Sequence, residues 1–447
     1  MVECGRDNSK FVLQEKLFST NIKGEVNRSM NENMPIVGYF IKYKTHFVCL
    51  DDGYKIEVQI IHQSKEYDFP ILKKSLIGKV LIMSTSLNEV FYDYKVVSVR
   101  WLNDQNIEIY YDFRIKRFKG KECYLIQFSS KDIDTFGQND AFLKSVYKSL
   151  TTKKLDLTKH DLTTTFEFLG RNYSLEICSG CLAPTEMSYN VSFSTFITIG
   201  SNDPIDINTI FELFKLIKKM ISFLTYRGNI DFNFVDLYEK NNSIGTSNFL
   251  YGELHFSSKK PKHIFGNYVC NRMIKSDSVG SYMTQVIEMI GNGTISCEYI
   301  PNDSDSYNCV FINTTAWFQS FFREYARKES EYKVTGINVE KNGKRITFKE
   351  MINILKDYSK EYSEKAITSK LNFFSFFNDI NEFKIHFADR IVKVRNDFCH
   401  GSVNYKKYKY FYLDLSILQI TLYASILKFI GLDKENCNKA LMQLFIS

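Results

Sequence analysis

The feature that most constrains the fold is a change of periodicity around Pro301-Asn302-Asp303-Ser304-Asp305-Ser306. Ahead of this polar, turn-forming stretch the chain is written in short β-branched and aromatic runs, the pattern of antiparallel strands. They are 37–50, 54–62, 80–85, 90–101, 107–118, 124–128, 163–178, 189–200, 230–238 and 249–256. Asp51-Asp52-Gly53 between the first two is a hairpin signal. Two helices interrupt the strands, a short one at 141–150 and a longer one at 207–226. In the longer one Ile210, Phe211, Phe214, Ile217, Ile221 and Leu224 recur mostly at steps of three and four, as on a helix laid against a sheet. Beyond the boundary the apolar residues follow a helical period at 314–328, 348–362, 381–400 and 412–430, with a small hairpin at 334–347 turning on Asn342-Gly343. The expected class is α+β. An antiparallel, β-rich, sandwich-like domain spans 1–303, with 1–30 as a polar arm, and an all-α bundle spans 304–447.

Composition narrows the function classes. At 44% hydrophobic and 15% aromatic residues the chain can fill large cores and is not intrinsically disordered. A net charge of +7 suits an anionic partner without requiring one. The 10 cysteines show no disulfide-framework spacing. The first residues lack a charged segment followed by an apolar one, so a secretory leader is not expected. The most apolar run, Leu415 to Leu432, contains Ser416, Gln419, Thr421, Ser425 and Lys428 and reads as a buried helix rather than a membrane span. A reducing, cytoplasmic location follows as the expectation.

One stretch names a chemistry: Arg395-Asn396-Asp397-Phe398-Cys399-His400-Gly401. A guanidinium stabilises a phosphorane and an imidazole moves protons at neutral pH, so Arg and His together suffice to cut RNA without a metal. Helical geometry sharpens the pattern. Phe387, Ile391, Val394 and Phe398 form one apolar stripe, while Cys399, Asn396 and His400 lie at about 40°, 100° and 140° from Arg395, away from that stripe. Ile385, Ala388 and Val392 continue the motif's arc upstream, as a subunit interface bearing a site would look. Residues about 140° apart cannot grip one phosphate from a straight helix. Either the helix breaks, with Gly401 as its cap, or two copies of the chain face each other across a composite cleft. Asn396 and His400, four apart, are spaced for one to orient the other. The plainer account is that Arg395 and His400 are cations at the negative end of a helix dipole.

The RNxxxHG element closing a helix within a C-terminal helical bundle resembles the HEPN family, and the order of β-rich region and bundle is similar to ApeA-like anti-phage proteins. The HEPN likeness covers about 309–447. It implies an endoribonuclease of abortive infection whose catalytic residues are Arg395, Asn396 and His400, needing no cofactor and no metal. It implies a 2′-hydroxyl attack leaving a 2′,3′-cyclic phosphate. RNA, with tRNA one target by family analogy, would be the substrate, a phage-derived trigger would release the enzyme, and a homodimer would hold the site. Many relatives add an acidic residue on an early helix, for which Glu324 and Asp389 are both candidates.

Other features weigh less. Cys178-Ser179-Gly180-Cys181 is half of a zinc site, which Cys270, Cys297, Cys309, His255 or His263 would have to complete; ordinary reduced cysteines are the simpler reading. Lys406, Lys407 and Lys409 alternate with Tyr405, Tyr408 and Tyr410, a pattern that suits either RNA contacts or a solvated loop. Arg114, Lys116, Arg117, Lys119 and Lys121 read as a solubilising strand edge. No nucleotide-binding loop and no HExxH or GxSxG motif is present. The rival to an enzyme is a non-catalytic dimer scaffold with a ligand- or phage-protein-binding sandwich.

Overall fold

The computed structural model describes residues 35–40, 45–51, 55–62, 80–85, 90–102, 106–118, 122–129, 162–182, 192–228, 230, 234–239, 250–256, 276–302, 305–373, 386–400 and 407–446. The expected arm at 1–30 and the short helix at 141–150 lie outside the described residues. The molecule is mixed, with antiparallel sheet in its N-terminal half and helices in its C-terminal half, as an α+β chain requires.

Twelve strands make one sheet: β1 (Pro35–Phe40), β2 (Thr45–Asp51), β3 (Lys55–His62), β4 (Val80–Thr85), β5 (Val90–Trp101), β6 (Asn106–Phe118), β7 (Leu125–Ser129), β8 (Leu162–Phe168), β9 (Arg171–Leu182), β10 (Ser192–Gly200), β11 (Phe234–Tyr238) and β12 (Leu250–Phe256). The architecture is not two facing sheets. The order β3-β2-β1-β4-β5-β6 closes on itself through a β3–β6 pairing, giving a six-stranded barrel, and β6 then continues into an open sheet, β12-β11-β7-β10-β9-β8. The 13-residue β6 makes this possible. One edge pairs with β5 throughout, while the other is divided: Asn106–Tyr110 pair with β3, and Phe113–Arg117 pair with β12. Alternation in sequence cannot distinguish a sandwich from this arrangement, because both bury every second residue. Ile56, Val96, Val99, Ile107, Ile109 and Tyr111 fill the barrel.

On the open sheet, Ile126, Phe128, Phe166, Tyr173, Leu175, Ile177, Ile197, Ile199, Val235 and Leu237 are buried. Two helices cover them: α1 (Ile207–Thr225) and α2 (Ser276–Gly291). The Thr164 and Thr284 hydroxyls, 2.7 Å apart, fasten α2 to β8. Asp206 caps α1 by accepting from the Thr209 N–H at 3.1 Å. The rest of the helical half comprises α3 (Tyr307–Lys328), a three-stranded hairpin unit of β13 (Tyr332–Thr335), β14 (Asn338–Lys341) and β15 (Lys344–Arg345), then α4 (Phe348–Phe373), α5 (Phe387–Cys399), α6 (Phe411–Ile430) and α7 (Lys434–Phe445). Thr347 and Glu350 form a reciprocal capping box at the head of α4, and these bonds hold the Glu350 carboxyl below its ordinary range.

Helix α1 is buried on nearly every side because it faces the sheet with one flank and the bundle with the other. Its end enters the bundle. Tyr226, left-handed at φ 54°, stacks 6.2 Å from Trp317 and meets Tyr423 and Phe445 edge-on. The Tyr423 hydroxyl donates to the Phe223 carbonyl at 2.5 Å, and the Gly228 N–H donates to the Pro301 carbonyl at 2.8 Å. Gly228 has to be glycine here: a β-carbon would lie 2.8 Å from the Ile300 carbonyl oxygen. One hydrophobic cluster therefore runs from the open sheet through α1 into the bundle. Tyr423→Phe should cost about 1 kcal/mol, measured as a lower urea midpoint. An unchanged midpoint would show that this hydroxyl does not tie the two halves.

Helix α6 is the one described helix long and apolar enough to cross a membrane, and 78% of its most apolar window is buried by the protein itself. Two of its polar residues are bonded within the bundle. Ser425 donates to the Thr421 carbonyl, and Lys428 donates to the Tyr358 carbonyl at 2.7 Å while lying over that residue's ring.

Candidate active site

Helix α5 carries the Arg–His motif at its C-terminal end. Phe387, Ile391, Val394 and Phe398 are all buried, so the apolar stripe packs into the bundle as its spacing predicts. Phe398 makes an aromatic joint, 5.5 Å from Phe311 on α3 and 6.0 Å from Phe411 on α6. A second anchor is ionic: the Arg390 guanidinium spans both carboxylate oxygens of Asp414, at 2.8 and 2.9 Å, and rests on the Tyr410 ring. Burial raises the Asp414 carboxyl above its ordinary value, outweighing the Arg390 bonds that lower it. Asp397, between the motif residues, accepts from the Tyr408 hydroxyl. Burial, helped by that bond, pushes Tyr408 up to about 12.

These anchors leave the motif side chains exposed to different degrees. Arg395 is half-buried. Its guanidinium donates to the Gln319 side-chain oxygen on α3 at 3.3 Å and lies 4.9 Å above the Phe348 ring at the head of α4. Both partners are uncharged, so they fix the group without cancelling its charge. Asn396 and His400 are exposed, and no side-chain hydrogen bond joins them; the contact is through the backbone, His400 N–H to Asn396 carbonyl at 3.0 Å. The helix is continuous through Cys399, and His400 caps it at φ −93°, ψ 13°. No break brings His400 round toward Arg395 within the described residues. Gly401, the expected cap, lies outside them.

Several sequence expectations change. Ala388 is 5% exposed and Val392 packs against the core, so the apolar arc upstream of the motif is covered by this chain's own helices; Ile385 lies outside the described residues. Neither acidic candidate meets Arg395: Glu324 pairs with Arg327 one turn along its own helix, and Asp389 pairs with Lys349 at 2.6 Å. The α3 residue that does meet it, Gln319, was missed because an uncharged amide carries no acid–base signal in sequence. The Tyr408 hydroxyl is bonded to Asp397 and the Tyr410 ring carries Arg390; Lys406 and Tyr405 are not described. Cys178 and Cys181 lie within β9, and no group of three or more His, Cys, Asp or Glu among the described residues is placed to hold a metal. Burial pushes the Cys297 thiol up to about 12. Cys270 and His263 lie outside the described residues. Arg114, Lys116 and Arg117 are on the central strand β6, not an edge, and Lys119 and Lys121 are not described.

What the arrangement offers chemically is a fixed guanidinium with its charge intact and a solvent-facing imidazole one and a half turns further on. A phosphodiester needs both, one for the non-bridging oxygens and one for proton transfer. Set against known proteins, the chain matches no protein-family model, no curated protein and no solved structure.

Proposed function

We propose that this chain is a HEPN-type, metal-independent endoribonuclease of anti-phage defence, acting in the bacterial cytoplasm as a homodimer. The observation that carries this reading is the setting of Arg395: held by Gln319 and Phe348, paired with no carboxylate among the described residues, with an exposed His400 one and a half turns on at the helix end. In the reaction, the ribose 2′-oxygen attacks the adjacent phosphorus, the bond to the 5′-oxygen breaks, and a 2′,3′-cyclic phosphate and a 5′-hydroxyl result. Arg395 stabilises the charge that builds on the non-bridging oxygens. His400 takes the proton from the 2′-hydroxyl or supplies one to the departing 5′-oxygen. The Asn396 side chain, which makes no hydrogen bond to His400, is available to the phosphate.

An unbroken helix through Cys399 supports the composite cleft, in which Arg395 of one copy works with His400 of the other. The barrel and open sheet act as sensor for a phage-derived trigger, and the α1 terminus, buried in the bundle, is the contact through which restraint would pass. Host or phage RNA, tRNA included, is the substrate class.

Protein purified from phage-infected cells should cut RNA in excess EDTA, leaving cyclic-phosphate and 5′-hydroxyl ends, and should leave DNA of the same sequence intact. Cleavage that EDTA abolishes, or ends carrying a free 3′-hydroxyl, would overturn the reaction; so would no cleavage at all.

A further inference from the structure

We propose that a backbone track for single-stranded RNA crosses α5 from its α3 side to its exposed side, with Arg323 binding a phosphate before, and Lys393 a phosphate beyond, the one held by Arg395. The inference rests on the ribonuclease reading and extends it from one phosphate to a run of nucleotides.

The cations of this region fall into two groups. Arg327 is paired with Glu324, Lys349 with Asp389 and Arg390 with Asp414. Arg323, Lys393 and Arg395 have no acidic partner among the described residues. Their positions are related. Arg323 follows Gln319 by four residues on α3, about 6 Å along the axis and about 40° round it, so it stands beside the residue that receives Arg395. Ala316 and Ser320, both small and half-exposed, flank Gln319, and neither stands tall between the cations. On α5, Lys393, Asn396 and His400 are exposed at steps of three and four and form one stripe about 100° to 160° round the helix from Arg395, with Lys393 about 10 Å from His400 along the axis. A half-buried guanidinium next to another repels it unless an anion lies between them. A phosphate chain supplies that anion repeatedly, and at this spacing it would pass Arg323, Arg395 and the His400 stripe in turn.

The test uses full-length protein carrying His400→Ala, so that bound RNA survives, and a fluorescein-labelled single-stranded oligouridylate as probe. Binding is followed by anisotropy across a salt series. Arg323→Ala and Lys393→Ala should each flatten the slope of log affinity against log salt by about 0.7, and Arg323→Lys should restore it. An oligothymidylate DNA should show the same slopes, because phosphate and not the 2′-hydroxyl is being read. Both residues are at least partly exposed, so urea midpoints should not move and lost binding cannot be lost folding. Slopes unchanged in both variants would overturn the track even if the parent protein cuts RNA. Flattened slopes with a parent protein that never cuts RNA would leave the track standing and remove the ribonuclease.

Discussion

His400→Ala and Arg395→Ala should each slow RNA cleavage by about two to four orders of magnitude without lowering the urea midpoint. His400 is exposed at a helix end, and half-buried Arg395 contributes one bond to a neutral amide and one contact with the Phe348 ring, so neither substitution strands a buried charge. Arg395→Lys should rescue little, because an ammonium cannot present two parallel N–H groups to a phosphate. The two inactive proteins also probe where the site lies. In a composite cleft, a mixed dimer has one cleft lacking both groups and one with both intact. Equal mixing then returns about a quarter of parental activity, since half of the dimers are mixed and each has one good cleft. If Arg395 and His400 of the same chain act together, mixing returns nothing. Full activity in either single variant would remove the basis of the reaction.

Arg390→Ala should be the most destabilising polar substitution in the bundle, at about 3–5 kcal/mol. It leaves the Asp414 carboxylate buried with neither of its two guanidinium bonds, and it unfastens α5, the helix carrying the motif, from α6. The pH dependence has a definite sign. The Asp414 carboxyl is raised in the folded protein, burial being the larger cause and Arg390 opposing it. A raised carboxyl penalises the fold only when ionised, so the penalty is absent below the unfolded value and complete above the folded one. Without Arg390 the folded value climbs further. The deficit of Arg390→Ala should therefore be widest near neutrality and shrink as the pH falls toward 5, in urea titrations at each pH. Replacing both partners, Arg390→Met with Asp414→Leu, should recover most of the loss, because no buried charge remains. A deficit independent of pH would assign the effect to lost packing instead.

Much of this was legible in the sequence, and the misses have physical causes. The runs 80–85 and 90–101 coincide with β4 and β5, which are rich in β-branched and aromatic residues and free of Gly and Pro. The run 163–178 hid a hairpin: β8 and β9 turn at Leu169-Gly170, both left-handed at φ 51° and 72°, and an apolar Leu in a two-residue turn masks the signal its Gly carries. Asn342-Gly343, with the polar residue in front, was plain. Helix α2 went unread because Gly280, Ser281 and Thr284 dilute its apolar face; its partner is the sheet, whose position the sequence does not disclose. The place of the motif at the end of a helix, facing away from the buried stripe, was readable from spacing. Its supports were not, since Gln319 lies 76 residues from Arg395 and Asp414 lies 24 from Arg390, separations at which no local period operates.

The divided strand β6 also bears on how the chain comes to be folded. Its barrel half can be satisfied early, because β3 and β5 precede it or adjoin it. Its other half, Phe113–Arg117, must wait for β12, whose last residue is Phe256. A ribosome delivers about 5–20 residues per second, so for many seconds the nascent chain presents an open strand edge to any other chain nearby. Arg114, Lys116 and Arg117 stand along that stretch. In the finished molecule they occupy a central strand, whereas on an open edge such charges are the residues that discourage pairing with another chain.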